Sequence, residues 1–310
     1  GMGFILEPEE AQEWIAADPR NTEILFPYLN GEDLNQRPDV SASRWVVDFN
    51  DRTEAAAAKY SLPFTRVLEQ AKPERMKNNR KVYRDYWWQH AEKRPALRKA
   101  IAGLDEVLAI ARVSKSVMPV RVPSCHVFSD KLVVFATNSF ADQAVLSSSV
   151  HQSWAIKYGT TMRIDPTYTP QVCFETLPRP KATGRLDAAG RALDNERREI
   201  MLRRSLGLTT VYNLVNDLSV QGDRDVDRLR EIHIEVDDAT VDAYGWSDLE
   251  LDHGFHTYRQ MERWTVSPVA RVEILDRLLE ENNSRSKSNQ QGNLAALASE
   301  IPKEDGTLFS

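Results

Sequence analysis

The hydrophobic period changes once along this chain, at Pro178-Arg179-Pro180, and that change limits the folds open to it. Before it, short β-rich apolar runs (VLAIARV, VMPVRV and KLVVFA, between 107 and 136) are broken by Lys115, Pro119, Pro123 and Ser129-Asp130, as in a sheet. After it, apolar residues recur every three or four positions. Leu186, Ala189, Leu193, Ile200 and Met201 fit one helical face, and Val226, Leu229, Ile232, Val236, Ala239 and Ala243 fit another. A further helix is read over 268–282, opening at Pro268 and carrying Val272, Leu275, Leu278 and Leu279. The expected class is α+β: a mixed α/β domain over 1–180, an all-helical C-terminal domain over 181–285, and a polar, mostly flexible tail over 286–310.

Within the first part, Pro8 with Glu9 and Glu10 opens a helix expected over 8–17, because proline and acid both suit a helix N-terminus. Asn30-Gly31 in PYLNGEDLN is a turn signal, and Arg44-Trp45-Val46-Val47-Asp48-Phe49 reads as a strand. Helices are expected over 53–71 and 140–158. Residues 160–180 are punctuated by proline and read as an irregular loop, the usual place for recognition on a scaffold.

Composition excludes several classes. With 310 residues, 41% hydrophobic and 28% charged, the chain suits a soluble globular protein. No uncharged apolar run nears the roughly 18 residues of a membrane span, and the start lacks the pattern of a secretory signal, so the expected location is cytoplasmic, with no membrane partner. Two cysteines, Cys125 and Cys173, make neither a disulfide framework nor a four-thiolate zinc site. The net charge of −6 hides a division of labour. Residues 72–99, KPERMKNNRKVYRDYWWQHAEKRPALRK, hold ten basic side chains against Glu74, Asp85 and Glu92, and such a run needs an anionic partner or an acidic neighbouring surface. If helical, this segment puts Lys77, Arg80, Lys81, Arg84 and Trp88 on one face.

Catalytic signatures are missing. There is no phosphate-loop GxxxxGK, no His-Glu-x-x-His, no Cys-x-x-Cys and no acidic residue two positions before a lysine. His253-Gly-Phe-His256 offers two imidazoles without an evident third metal ligand, and Cys125-His126 would point to opposite faces of a strand. Trp87-Trp88 sits among cations, where rings can stack on bases or pack in a core.

PYLNGEDLN, KPERMKNNR…YWWQ (72–89), SSSVHQSWAIKYGTTMRIDPTYTP (147–170), CFETLPRP (173–180), LTTVYNLVND (208–217), VDDATVDAYGWSDL (236–249) and ILDRLLEENNSR (274–285) occur in that order. Together they resemble the region C-terminal to the catalytic domain in large adenine-specific DNA methyltransferases, the Type IIG (MmeI-like) restriction–modification enzymes and related phage-defence methyltransferases. The resemblance implies a DNA target-recognition domain followed by a helical segment, beside a methyltransferase domain that binds S-adenosylmethionine. The Asn/Asp-Pro-Pro-Tyr/Phe motif and glycine-rich cofactor loop of that catalytic domain are absent here, so no cofactor is expected in this chain and S-adenosylmethionine belongs to the parent enzyme's methyltransferase domain. Gly1-Met2-Gly3 fits an interior junction of the longer family proteins, or one residue before an initiating Met2.

The expected partners are double-stranded DNA and the methyltransferase domain of the same protein or complex. Phosphate contacts position and base-edge contacts specify. On chemistry, Arg75, Lys77, Arg80, Lys81, Arg84, Trp88, Lys93 and Arg94 are the phosphate-binding candidates. Thr161, Arg163, Asp165 and Tyr168, with Lys115 and Arg121, are the base-reading candidates. A second hypothesis is an interaction or scaffold subunit whose basic segment docks an acidic protein surface.

Overall fold

The computed structural model describes residues 2–90, 93–162, 165–258 and 261–299, with 2, 161, 162, 165, 261 and 288–299 described by backbone alone. The chain opens with β1 (Ile5–Leu6), α1 (Pro8–Ala17), β2 (Leu25–Leu29), α2 (Gly31–Gln36) and β3 (Arg44–Val47). The Asn30-Gly31 turn is also a helix start: the Asn30 side chain accepts from the Glu32 and Asp33 amides, and Asp33 reaches back to the Asn30 backbone, closing a capping box. α3 (Glu54–Ala57), α4 (Ser61–Gln70), α5 (Lys72–Met76), α6 (Lys81–Asp85) and α7 (Pro95–Ile101) follow. The helix expected over 53–71 is thus broken, and the basic segment is three short helices instead of one continuous face. Asn78 and Asn79 stand where the first of these ends, and both favour turns over helix interiors.

Next come β4 (Glu106–Ala111), β5 (Val120–Pro123), β6 (Val127–Phe128) and β7 (Leu132–Phe135). One antiparallel sheet has the order β5-β4-β7, with Leu108 opposite both Arg121 and Phe135. The other has the order β1-β3-β2-β6, where β6 pairs in parallel with Tyr28 and Leu29 alone, leaving Pro27 of β2 opposite Trp45. The expected 140–158 helix is two, α8 (Phe140–Ser147) and α9 (Ser149–Tyr158). Ser148 separates them: its hydroxyl donates to the Val145 carbonyl at 2.7 Å and accepts from the His151 amide at 3.2 Å, capping the second helix.

The segment read as an irregular loop contains a hairpin of β8 (Thr160–Met162) and β9 (Asp165–Thr167), then α10 (Pro170–Cys173). α11 (Gly184–Arg204), α12 (Leu208–Val215) and α13 (Arg224–Tyr244) bear out the helical reading after residue 180. One element departs from it. β10 (Gly254–Tyr258) and β11 (Met261–Thr265) form an antiparallel hairpin, favoured by the aromatic and β-branched residues Phe255, Thr257, Tyr258, Trp264 and Thr265. α14 (Pro268–Ser299) then runs past the 268–282 expected and through much of the tail read as flexible, since no proline interrupts it before Pro302. Residues 300–310 of that tail lie outside the described residues.

Core packing follows the alternation of β4. Val107, Ala109 and Ala111 join Leu29, Leu34, Ile200, Met201, Leu208, Val211 and Leu229 in one apolar cluster, while Leu108 and Ile110 face a second with Phe135, Ile156, Tyr168 and Cys173. The helices after residue 180 therefore cover one face of the sheet and α9 the other. A third cluster gathers Phe4, Leu6, Val46, Phe49, Val67, Trp87 and Trp88 under the basic segment. Between α8 and α11 the backbones touch, because a Cβ at Gly190 would overlap the Phe140 carbonyl.

Candidate nucleic-acid interface

The basic segment is held by its aromatic residues and presents a subset of its cations. Trp87 and Trp88 are buried, and the Trp88 indole Nε1 and Gln89 Nε2 each donate to the Arg52 carbonyl at 2.9 Å. Trp88 is therefore an anchor and not a phosphate or base contact. Arg75 is likewise turned inward: Nη1 donates to the Gln89 carbonyl at 2.7 Å, the guanidinium lies 4.6 Å from the Phe4 ring centroid, and burial lowers its pKa. Arg84 folds back, donating to the Asn78 carbonyl. Lys93 pairs with Asp51 at 2.6 Å, and Arg98 with the buried Asp48. Arg94 is half-buried with φ of 44°, the left-handed conformation that a non-glycine residue adopts at a cost of order 1–3 kcal/mol.

Of the phosphate-binding candidates, Lys77, Arg80 and Lys81 remain, while Lys72 lies over the Trp87 ring at 4.4 Å and Lys99 is exposed at the end of α7. The three candidates are exposed, on the turn between α5 and α6, and among the described residues none has a carboxylate within ion-pair distance. Arg80 Nη1 donates to the Tyr83 hydroxyl at 3.1 Å, which steadies the side chain without neutralising it. By contrast Arg185, Arg203, Arg204, Arg228 and Arg277 are all matched to carboxylates.

A second group of elements converges around residues 112–116. The Ser114 amide donates to the Pro166 carbonyl at 3.3 Å, Tyr168 N to the Arg112 carbonyl at 2.7 Å, and Val113 bridges Thr167, so the loop after β4 and the β8–β9 hairpin are stitched together. Lys115 is exposed at the centre of that loop. From the other side Arg263 of β11 donates Nη1 to the Lys115 carbonyl at 2.8 Å. Thr161 and Asp165 fall in the paired strands by their backbone, and Arg163 lies outside the described residues.

Two base-reading candidates are corrected by burial. Tyr168 is 3% exposed, edge-on to Phe135, with its hydroxyl 2.9 Å from His151 Nε2. His151 Nδ1 faces the Leu146 carbonyl at 2.7 Å and so must carry the proton, leaving Nε2 to accept from Tyr168. Burial brings this imidazole down to about 4 and pushes the Tyr168 phenol up, so the pair is neutral and structural. Arg121 is 5% exposed on β5, donating to the Asn138 carbonyl at 2.9 Å and Gln143 Oε1 at 3.1 Å, with its guanidinium 3.9 Å from the Phe140 ring centroid. Gln143 passes the link to Asp194 of α11 at 2.8 Å. An arginine on a strand reads as a surface cation in sequence; here it ties the sheet to α8 and α11.

The His253 pattern resolves into a buried clasp. Asp237 of α13 accepts from the Ser149 amide at the start of α9 (2.6 Å) and pairs with His253 Nε2 (2.8 Å), joining three elements. His256 Nε2 lies 3.0 Å from the Asp252 carbonyl, and no group of three metal-ligating side chains exists among the described residues. Burial lowers the His253 pKa, but the hydrogen bond and charge of Asp237, with Asp238 and Asp252, outweigh it and raise the net value. A raised folded-state pKa contributes stability that is complete below the unfolded value near 6.5 and is lost as pH rises through the folded value. Thermal melts should therefore show the advantage of the native protein over His253→Gln shrinking with rising pH across that window; an advantage that grew with pH would refute the charged clasp.

No helix among the described residues is long and apolar enough to cross a membrane. The same α+β arrangement, with its helical C-terminal region, recurs in the structure of the Type IIL restriction-modification enzyme MmeI in complex with DNA, at a TM-score of 0.60 and 16% identity, over 91% of this chain and 34% of that one. This chain thus spans about a third of that enzyme. No curated protein matches. A sequence model of the MmeI target recognition domain matches residues 1–181, and the chain belongs to that family.

Proposed function

We propose that this chain grips duplex DNA and reads its sequence, as the recognition part of an adenine-N6 DNA methyltransferase or restriction–modification enzyme of the cytoplasm. Methyl transfer is supplied by a methyltransferase domain outside this sequence, fused or in trans. The observation that carries the reading is the cation set Lys77, Arg80 and Lys81, without a carboxylate partner among the described residues, in an acidic protein whose other arginines are so often matched to carboxylates. Phosphates are the natural counter-charge, and a methyltransferase that extrudes its target base needs a separate element to hold the duplex. Lys115 and the β8–β9 hairpin, with Thr161, Arg163 and Asp165 by their chemistry, are the reading elements.

S-adenosylmethionine does not fit these residues. The glycine that opens a helix after a strand, Gly31, stands alone, and a Cβ there would meet Ala111 and Lys131 at ordinary van der Waals distance, so no glycine cradle exists at that turn. Calorimetry of the chain with this cofactor should show no micromolar binding.

The test is a titration against a cognate duplex and a scrambled one at several salt concentrations. Log affinity should fall linearly with log salt, and Arg163→Ala should leave that slope nearly unchanged while costing about 1–3 kcal/mol on the cognate duplex alone. Binding without salt dependence would defeat the proposal. It would favour a second reading, docking to an acidic protein, which draws support from Met76, Val82 and Tyr86 exposed beside the cations.

A further inference from the structure

Lys115 is held on both sides of its Cα by elements from distant parts of the chain. Before it, the Ser114 amide donates to the Pro166 carbonyl of β9 at 3.3 Å, and Val113 bridges Thr167. After it, the Lys115 carbonyl accepts from Arg263 Nη1 of β11, 148 positions away, at 2.8 Å. The lysine side chain is exposed, and its flexible stem leaves the aim of the ammonium group to the backbone that roots it.

Such a brace works only from a rigid base, and β11 has one. The Trp264 amide donates to Asn216 Oδ1 at the C-terminus of α12 (3.2 Å), and the Ser267 amide donates to the Leu251 carbonyl at the root of the hairpin (3.0 Å). Arg230 of α13 lies 5.1 Å from the Phe255 ring centroid and 5.4 Å from that of Trp264, and is itself fixed by the Val215 and Val220 carbonyls at 3.0 Å. Neighbouring side chains on a strand point to opposite faces, so with Trp264 turned onto Arg230, Arg263 is turned toward the 112–116 loop. Its hydrogen bond to the Lys115 carbonyl is charge-assisted, the stronger kind.

We propose that Arg263 is a positioning residue for Lys115, setting sequence selectivity without touching a base. The inference rests on the reading role proposed for Lys115. It places a determinant of selectivity outside residues 1–181, the span of the target recognition domain. Without the brace the loop regains backbone freedom, which it must lose again where Lys115 meets a base. A scrambled duplex demands no such meeting, so only cognate affinity suffers.

Hydrogen exchange on the free, whole chain tests the brace without DNA. In Arg263→Met the Ser114 amide should exchange about tenfold faster, the weight of one charge-assisted hydrogen bond. An unchanged rate would overturn the proposal. Titrations then compare a duplex selected by the native chain from a random pool with a scrambled one. Arg263→Met should lower the ratio of the two affinities by about fivefold, the lower end for one residue's backbone because Ser114 stays pinned. Affinity for the scrambled duplex and the log-salt slope should stay native. In a Lys115→Ala background the same substitution should lower the ratio no further. Asn216→Ala keeps Arg263 and loosens the strand that carries it, so it should give the same pattern at smaller amplitude even if Arg263→Met does not fold. Loss on both duplexes with a flatter slope would make Arg263 a phosphate contact, and a full loss persisting without Lys115 would make it structural alone; either overturns the proposal. A ratio lowered by Lys115→Ala but native in Arg263→Met and Asn216→Ala defeats the positioning role by itself. A ratio untouched by Lys115→Ala, or a native chain that selects no duplex, defeats the reading role and this inference with it.

Discussion

Replacing Lys77, Arg80 and Lys81 together by alanine should weaken binding to every duplex alike, by roughly two to three orders of magnitude near 0.1 M salt, and flatten the log–log salt slope by about 2.7 units, 0.9 for each phosphate released. The three side chains are exposed and unpaired among the described residues, so the folded protein should change by only about ±0.5 kcal/mol, and a loss of affinity cannot be blamed on unfolding. Arg75→Ala is the informative contrast. That guanidinium is turned onto Phe4 and the Gln89 carbonyl, so its loss should lower the melting temperature and leave the slope within about one unit of the native value. An unaltered slope in the triple variant would remove the α5–α6 turn from the interface. A loss confined to one sequence would turn these residues from backbone clamps into base readers.

Gly190→Leu should be the most damaging single substitution in the helical region. α11 passes α8 at a point where even a Cβ would overlap the Phe140 carbonyl, a backbone atom that cannot rotate away. The flanking residues are already small, with Ala141, Ala144 and Ala189 buried in the same cluster, so no large side chain can trim back to make room. The helices would have to separate, opening the contacts of Leu186 and Leu193 and straining the Gln143–Asp194 link beside them. A cost above about 4 kcal/mol is expected, a large share of the 5–15 kcal/mol typical of a domain. Urea denaturation followed by circular dichroism would measure it, and a midpoint close to native would show that this crossing is looser than its geometry.

Much of the architecture was legible because hydrophobic period reports burial. α1 occupies the expected 8–17, the three runs between 107 and 136 hold β4, β5 and β7, with the two-residue β6 outside them, and Leu186 to Ala243 lie on helices in register with the predicted faces. The failures share one cause, namely competition between local and tertiary forces. Ser147-Ser148-Ser149 offers both a helix interior and a helix cap, and the cap won, splitting α8 from α9. The basic segment had a helical period, yet Asn78-Asn79 ended its first turn and Trp87 and Trp88 pulled its end into the third core cluster. At the interface, charge alone could not say which cations face outward. Arg75 and Arg121 carry the same guanidinium as Arg80, and only the positions of Phe4, Phe140 and Gln143 turn them inward. Trp264 and the β10–β11 hairpin were missed because ten residues of strand between long helices leave too short an alternation to read.

The cluster shared by Leu29, Val107 and Ala111 with Ile200, Leu208 and Leu229 has a consequence for anyone wishing to rewrite what such a protein reads. A transplanted β8–β9 hairpin brings its loops but leaves behind the loop after β4 that stitches it at Val113 and the arginine that grips Lys115 from β11. Specificity here is therefore inherited as a parcel, in which helices far along the chain serve as the binding of the book whose page carries the letters.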